Sequence, residues 1–339
     1  MPAVQLRSAA IAGTGSCLPE RVLTNHELEQ MVDTSDEWIR TRTGIRERRL
    51  AAAGTAASDL AVPAASRALT AAGLAAADVD LIIVATVTPD TLFPATACLV
   101  QERLGARGAA AFDLSAGCSG FVYALGVASQ FIAAGIYHTA LVIGVEVLSK
   151  IINWQDRNTC VLFGDGAGAV VLRAVPAGRG ILGLELGADG SGGSLLTMPA
   201  GGSRLPASPA TVREQLHTIH MNGSEVFKFA VRIMGEASLK ALKKAGLAKE
   251  DVDFLIPHQA NIRIIEAATK RLGLAPEKVY VNLDRYGNMS SASIPVALDE
   301  AYRAGLLQRD HKVVMVAFGA GLTWGAAVVN WELDPPKGD

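Results

Sequence analysis

Two kinds of apolar segment alternate along the chain. Short unbroken runs, such as "TALVIGVEVL" (139–148) and "KVVMVAFGAG" (312–321), read as buried strands. Longer Ala-rich stretches read as helices that stop at glycine. One such unit occurs twice: residues 68–83 read "ALTAAGLAAADVDLII" and residues 241–256 read "ALKKAGLAKEDVDFLI". The two align without a gap, and each predicts a helix, a Gly stop, a short linker and a buried strand. "RLG" recurs at Arg103 and Arg271, and "AG" plus an aliphatic residue at Ala134 and Ala304. Each half ends in a Gly-rich strand, "FGDGAGAVVL" (163–172) and "FGAGLTWGAAVVNW" (318–331). A period this long predicts a duplicated domain rather than a solenoid. The alternation of strands and helices predicts a largely parallel sheet in each copy. Residues 1–180 make the first half, 181–215 a Gly/Ser/Pro-rich connecting region and 216–335 the second half.

Composition narrows the function classes. The chain has 339 residues, of which 50% are hydrophobic and 19% charged, with a formal net charge of -2. That is a globular profile with no basic footprint for nucleic acid. No apolar run is long enough to span a bilayer, and the N-terminus lacks a secretory pattern. Four cysteines, Cys17, Cys98, Cys118 and Cys160, are dispersed, with no CxxC or Cys/His cluster. Their spacing argues against a metal site and for a reducing, cytoplasmic compartment.

The repeat locates the chemistry. Cys118, in "DLSAGCSGFVYAL" (113–125), sits where a strand-like run meets a helical pattern, and begins the predicted helix. A helix N-terminus favours thiolate over thiol, and the main-chain N–H of Cys118 is placed to donate to an oxyanion. His258, in "IPHQAN", falls at the strand end where the first copy has Ala85. Asn288, in "RYGNMSSAS", stands as far before Gly305 as Cys118 stands before Gly135. Cys118 and Asn288 therefore occupy related places in two pseudo-symmetric halves, whose strand ends such folds bring together around ligands. Cys, His and Asn permit two chemistries. One is papain-like hydrolysis, with His as base and Asn orienting it. The other is carbon–carbon bond formation, with Cys carrying an acyl group and His and Asn donating to an enolate oxygen. "GTGSCL" and "GDGAGA" fit neither a dinucleotide fingerprint nor a P-loop.

"AGCSGF", "PHQANIRII", "DRYGNMSSAS", "FGAGLTWGAA" and "TSDEWIRTRTGIRERR" (34–49) together resemble the β-ketoacyl-[acyl-carrier-protein] synthase III family over nearly the whole chain. The resemblance implies a thiolase-like α/β fold of two duplicated halves, with mixed sheets in alternating α-β-α-β-α layers. It implies an acyltransferase that condenses a short acyl-CoA with malonyl-acyl carrier protein to initiate fatty acid synthesis, as a homodimer. No cofactor or metal is expected, since acyl-CoA is a substrate. A related enzyme of secondary metabolism and a non-catalytic partner subunit are the alternatives.

Residue by residue, the resemblance makes Cys118, His258 and Asn288 catalytic. The N–H groups of Cys118 and Ala320 form its oxyanion hole. Trp38 and Arg157 would sandwich the CoA adenine, with Arg42, Thr34 and Asn261 helping to bind CoA. Phe93 would reach an acyl pocket across the dimer. Gln259, Ala260, Asn261, Ile262, Arg263 and Lys228 would contact the carrier protein. Ala320 departs from the family's usual glycine, which puts a methyl group beside the acyl pocket.

Overall fold

A computed structural model describes residues 7–336. The first six residues, on which the reading of the N-terminus partly rests, lie outside the described residues. Five strands build the first sheet: β1 (Arg7–Cys17), β2 (Leu81–Ala85), β3 (Ala110–Leu114), β4 (Thr139–Glu146) and β5 (Gly166–Pro176), in the order β1-β5-β4-β2-β3. Pairs β2/β3 and β2/β4 are parallel, while β1 and β4 flank β5 antiparallel. The second sheet contains β6 (Ile181–Ala188), β7 (Phe254–Pro257), β8 (Lys312–Gly319) and β9 (Thr323–Asn330), in the order β7-β8-β9-β6. It repeats the first with one strand reduced: the counterpart of β3 survives as a single parallel bridge between Leu255 and Val279.

The repeated "AGL" marks two helix ends. Gly73 and Gly246 both take left-handed φ, 64° and 69°, where a side chain would be strained. Gly73 closes α1 (Ala57–Ala72), and Gly246 follows α2 (Gly223–Lys244).

Strand alternation sorts side chains into layers. Leu81, Ile83 and Ala85 face one core, and Ile82 and Val84 face another. The first of these cores is shared by both sheets, through Phe254, Ile256, Val313 and Met315 of the second. Between the sheets lie α3 (Gly120–Ala133) and α4 (Ser293–Arg303), which contribute Phe121, Leu125, Ile132, Ile294 and Leu298. Both helices are buried along most of their length, as a central layer requires. Helix α1 covers the outer face of the first sheet. Helices α2 and α5 (Ile262–Leu272) cover that of the second. The result is the expected thiolase-like stack of five layers.

Residues 181–215 open on strand β6, paired antiparallel with β9. In its sequence, "ILGLELGA", leucines alternate with Gly183, Glu185 and Gly187, so one face of this edge strand carries little apolar bulk. Gly183 and Gly187 lie where a Cβ would strike the Ala241 carbonyl and the Trp324 ring, at 2.3 Å in each case.

Candidate active site

Cys118 occupies a one-turn 3-10 segment (Gly117–Ser119), so α3 starts two residues later than the sequence pattern predicts. The turn requires glycine at two points. Gly117 has φ 55°, the left-handed region. Gly319, the last residue of β8, packs so closely that an added Cβ would stand 2.4 Å from the Cys118 nitrogen. A Cβ on Gly117 would likewise stand 2.7 Å from the Ala320 nitrogen. The main chains carrying Cys118 and Ala320 therefore lie side by side. Ala320 is not among the residues of positive φ, so its methyl group imposes no backbone strain. Gly319→Ala is expected to push the nucleophile out of place. It should destabilise the fold by about 1–3 kcal/mol and remove most acylation of Cys118. Thermal unfolding and intact-protein mass would read the two effects.

His258 follows β7 and is held by its own N–H, which donates to the Val316 carbonyl at 2.8 Å. Its ring is fully buried, edge-on to Phe318 at 5.7 Å, and neither ring nitrogen has a hydrogen-bond partner among the described residues. Burial pushes its pKa down to about 3, so the imidazole is neutral near pH 7 and has one N–H unspent. Asn288 is anchored by its N–H, which donates to the Leu162 carbonyl at 2.8 Å. Its Oδ1 accepts from the Ser290 N–H at 2.8 Å. That bond fixes which end of the amide is which: the NH₂ is the end left to donate. Burial pushes the Cys118 thiol up to about 12; the nearby Ser290 hydroxyl pulls it down and Glu146 pushes it up. The resting residue is a thiol.

Cys118 lines two cavities. One is a cleft of about 1060 Å³ whose lining includes Trp38, Arg42, Phe227, His258, Asn261 and Asn288. The other is a pocket of about 220 Å³, bounded mainly by apolar groups such as Val87, Leu148, Ile151, Leu196 and Ala320. The structure thus brings Cys118, His258 and Asn288 together in the lining of one cleft, and Cys118 also borders the small pocket.

The cleft's outer end differs in detail from the expectations. The Arg157 guanidinium stacks directly on Trp38, 5.0 Å from its centroid, and Arg42 stands at 5.9 Å. A purine between Trp38 and Arg157 requires Arg157 to swing away. Thr34 is partly buried, with an unpartnered hydroxyl, and is not part of the cleft lining. Asn261 caps α5 through the Arg263 N–H (2.9 Å) and donates to the Arg42 carbonyl (2.9 Å), so it ties the wall together.

Gln259 corrects the carrier-protein set. Its side chain is fully buried, donating to the Pro257 and Tyr280 carbonyls and accepting from the N–H groups of Asn282 and Leu283. Every polar atom is spent inside the fold, so no partner can touch it. Ile262 is partly buried against the neighbouring core. Ala260 lines the cleft, and Arg263 and Lys228 stand exposed on its rim. Arg263 lies over Phe227 at 5.2 Å, and Lys228 pairs with Glu225 at 2.7 Å. Phe93 is 85% exposed and lines neither cavity of its own chain. Sequence reasoning missed Phe227, Asn222, Leu196 and Met198, which line the cavities. They carry no motif, and only the tertiary fold brings them to the cysteine.

Comparison with known proteins gives the family. The model described as 3-Oxoacyl-[acyl-carrier-protein (ACP)] synthase III matches residues 112–190, and that of its C terminal matches 242–331. The chain is 66% identical to the Beta-ketoacyl-[acyl-carrier-protein] synthase III of Desulfitobacterium hafniense, over 96% of this chain and 98% of that one. It is 63% identical to that of Caldanaerobacter subterraneus, with the same coverage. The crystal structure of 3-oxoacyl-[acyl-carrier-protein] synthase III from Aquifex aeolicus superposes with a TM-score of 0.88 at 49% identity, covering 95% of this chain and all of that one. With both family models matched and 66% identity over nearly the full length of a relative, the chain belongs to the β-ketoacyl-[acyl-carrier-protein] synthase III family.

Proposed function

We propose that this chain is a condensing acyltransferase that joins a short acyl-CoA primer to malonyl-acyl carrier protein, the first condensation of fatty acid synthesis. The observation that carries the reading is the position of Cys118 at the junction of a long cleft and a small apolar pocket. A thioester on that sulfur would place its acyl chain in the pocket and leave the cleft open for the pantetheine arm of either substrate.

In the first half-reaction the Cys118 sulfur bonds to the acyl carbon, the bond from that carbon to the CoA sulfur breaks, and the thiol proton ends on CoA. The N–H groups of Cys118 and Ala320 would hold the intermediate's oxyanion. Malonyl-carrier protein then loses carbon dioxide, and the electron pair moves onto its thioester oxygen. The N–H of neutral His258 and the NH₂ of Asn288 would stabilise that enolate in a site shielded from water. The enolate carbon bonds to the acyl carbon, the bond to Cys118 breaks, and a proton restores the thiol. No cofactor is needed to balance these steps. Hydrolysis fits less well. His258 and Asn288 share no hydrogen bond, and an imidazole with a pKa of about 3 is a poor base.

Trp38, with Arg42 and Arg157, would hold the adenine end of CoA, and Arg263 and Lys228 would grip an acidic carrier protein. Trp38→Ala is expected to raise KM for acyl-CoA roughly 5- to 100-fold, the scale of one lost stacking platform. The KM for malonyl-carrier protein should move less, as initial rates against each substrate would show. The exposed Leu92 and Phe93 would be covered in a homodimer, with Phe93 entering the partner's acyl pocket. Dispersed free cysteines fit a cytoplasmic setting. Among the described residues no helix is long and apolar enough to cross a membrane. Labelled carbon dioxide release from malonyl-carrier protein, coupled one-to-one to 3-oxoacyl-carrier protein, tests the reading. Free acid as the product would refute it.

A further inference from the structure

Glu146, at the end of β4, is fully buried close enough to the nucleophile to act on it, and none of the steps above uses it. Its Oε2 takes three donors: Thr88 Oγ1 at 2.8 Å, Val87 N–H at 3.1 Å and Thr86 Oγ1 at 3.3 Å. Both threonine hydroxyls are free to donate here, since the main-chain N–H that each accepts leaves its own proton unspent. Val147 donates to Thr88 Oγ1 at 2.8 Å, and the Thr88 N–H donates to Thr86 Oγ1 at 3.0 Å. The other oxygen, Oε1, lies 2.9 Å from Ser291 Oγ and shares the Val87 N–H at the longer distance of 3.3 Å. That hydroxyl also lies 2.7 Å from the Ala85 carbonyl oxygen, which can only accept. Ser291 has one proton for two oxygen neighbours. If it goes to the carbonyl, the shorter contact, the proton between Ser291 and Glu146 must come from Glu146.

We propose that Glu146 is held as a neutral carboxylic acid with its proton on Oε1, and that it acts as a positioning residue joining the two walls of the active site. Three further facts agree. No cation is paired with Glu146 among the described residues, so a carboxylate there would be a buried, uncompensated charge. Burial raises its pKa. An ionised Glu146 would also oppose thiolate formation at Cys118, the titratable group it acts on, and a neutral one does not.

The network says what the acid positions. On one side it holds Val87, a wall of the apolar pocket. On the other it holds Ser291, next to Ser290, whose N–H orients the Asn288 amide. Glu146 therefore sets the spacing between the acyl pocket and the enolate donor.

The test joins infrared spectroscopy to a rescue series on the full chain. Wild type should show the carbonyl stretch of a protonated carboxylic acid at neutral pH, and Glu146→Gln should lack it. Glu146→Val, which leaves the donors of Thr86, Val87 and Thr88 unpaired, is expected to lose decarboxylation by about tenfold or more. Glu146→Gln, a neutral isostere that donates to Ser291 and accepts from Thr88, should restore it to within about threefold of wild type. Absence of the band, or a folded Glu146→Gln as inactive as Glu146→Val, would overturn the assignment. Should Glu146→Val fail to fold, the band and the Glu146→Gln rate still decide it. The activity arm rests on the proposed condensation and the infrared arm does not, so failure of one reading is distinguishable from failure of the other.

Discussion

Cys118→Ala is expected to fold, to take up no acyl group from any acyl-CoA and to lose condensation by roughly 10⁴-fold or more, as when a covalent nucleophile is removed. The stability cost should be small, about 1 kcal/mol, since the change deletes one sulfur beside an existing cavity. Intact-protein mass with acyl-CoA reads the loading, and a thermal melt confirms the fold. The variant also bears on the second half-reaction. His258 and Asn288 remain in place, so malonyl-carrier protein can still lose carbon dioxide, with no acyl-cysteine to capture the enolate.

The second large effect belongs to the two donors. His258→Ala and Asn288→Ala should still load the acyl group and should each lose decarboxylation by roughly 10²–10³-fold, the usual cost of one preorganised donor. Asn288→Asp is the sharper control. It keeps an oxygen to accept from the Ser290 N–H, so the loop is held, but it offers no NH₂ and places a carboxylate where the enolate forms. It should be at least as inactive as Asn288→Ala and should melt below wild type, because the new carboxylate is buried without a cation. If His258→Ala lost loading and kept decarboxylation, the roles given to Cys118 and His258 would be wrong.

Much of this could be seen in the sequence, for a physical reason. The "AGL…DVD" echo reports a helix stop and a strand start, both governed by local rules, and Gly73 and Gly246 take the same left-handed turn. The site's centre was legible because related positions in two copies converge on one cleft. What stayed hidden depends on contacts between distant segments. Strand β6 was counted with the Gly/Ser/Pro-rich stretch that follows it, and its pairing with β9 assigns it to the second sheet. Gln259 was read as a carrier-protein contact only through the family resemblance. In the fold its amide satisfies four main-chain groups that no motif announces. Glu146 sits in an apolar strand, and its meaning depends on Ser291, 145 positions away. The stacking of Arg157 on Trp38 is likewise a tertiary fact.

The most direct test of the central claim is intact-protein mass, followed over time on mixing with a panel of short acyl-CoAs and then with malonyl-acyl carrier protein. The account predicts one acyl adduct, mapped to Cys118, that disappears on adding malonyl-carrier protein as 3-oxoacyl-carrier protein accumulates in equal amount. A folded protein that forms no adduct with any primer, or one whose adduct discharges only to free acid, would contradict it.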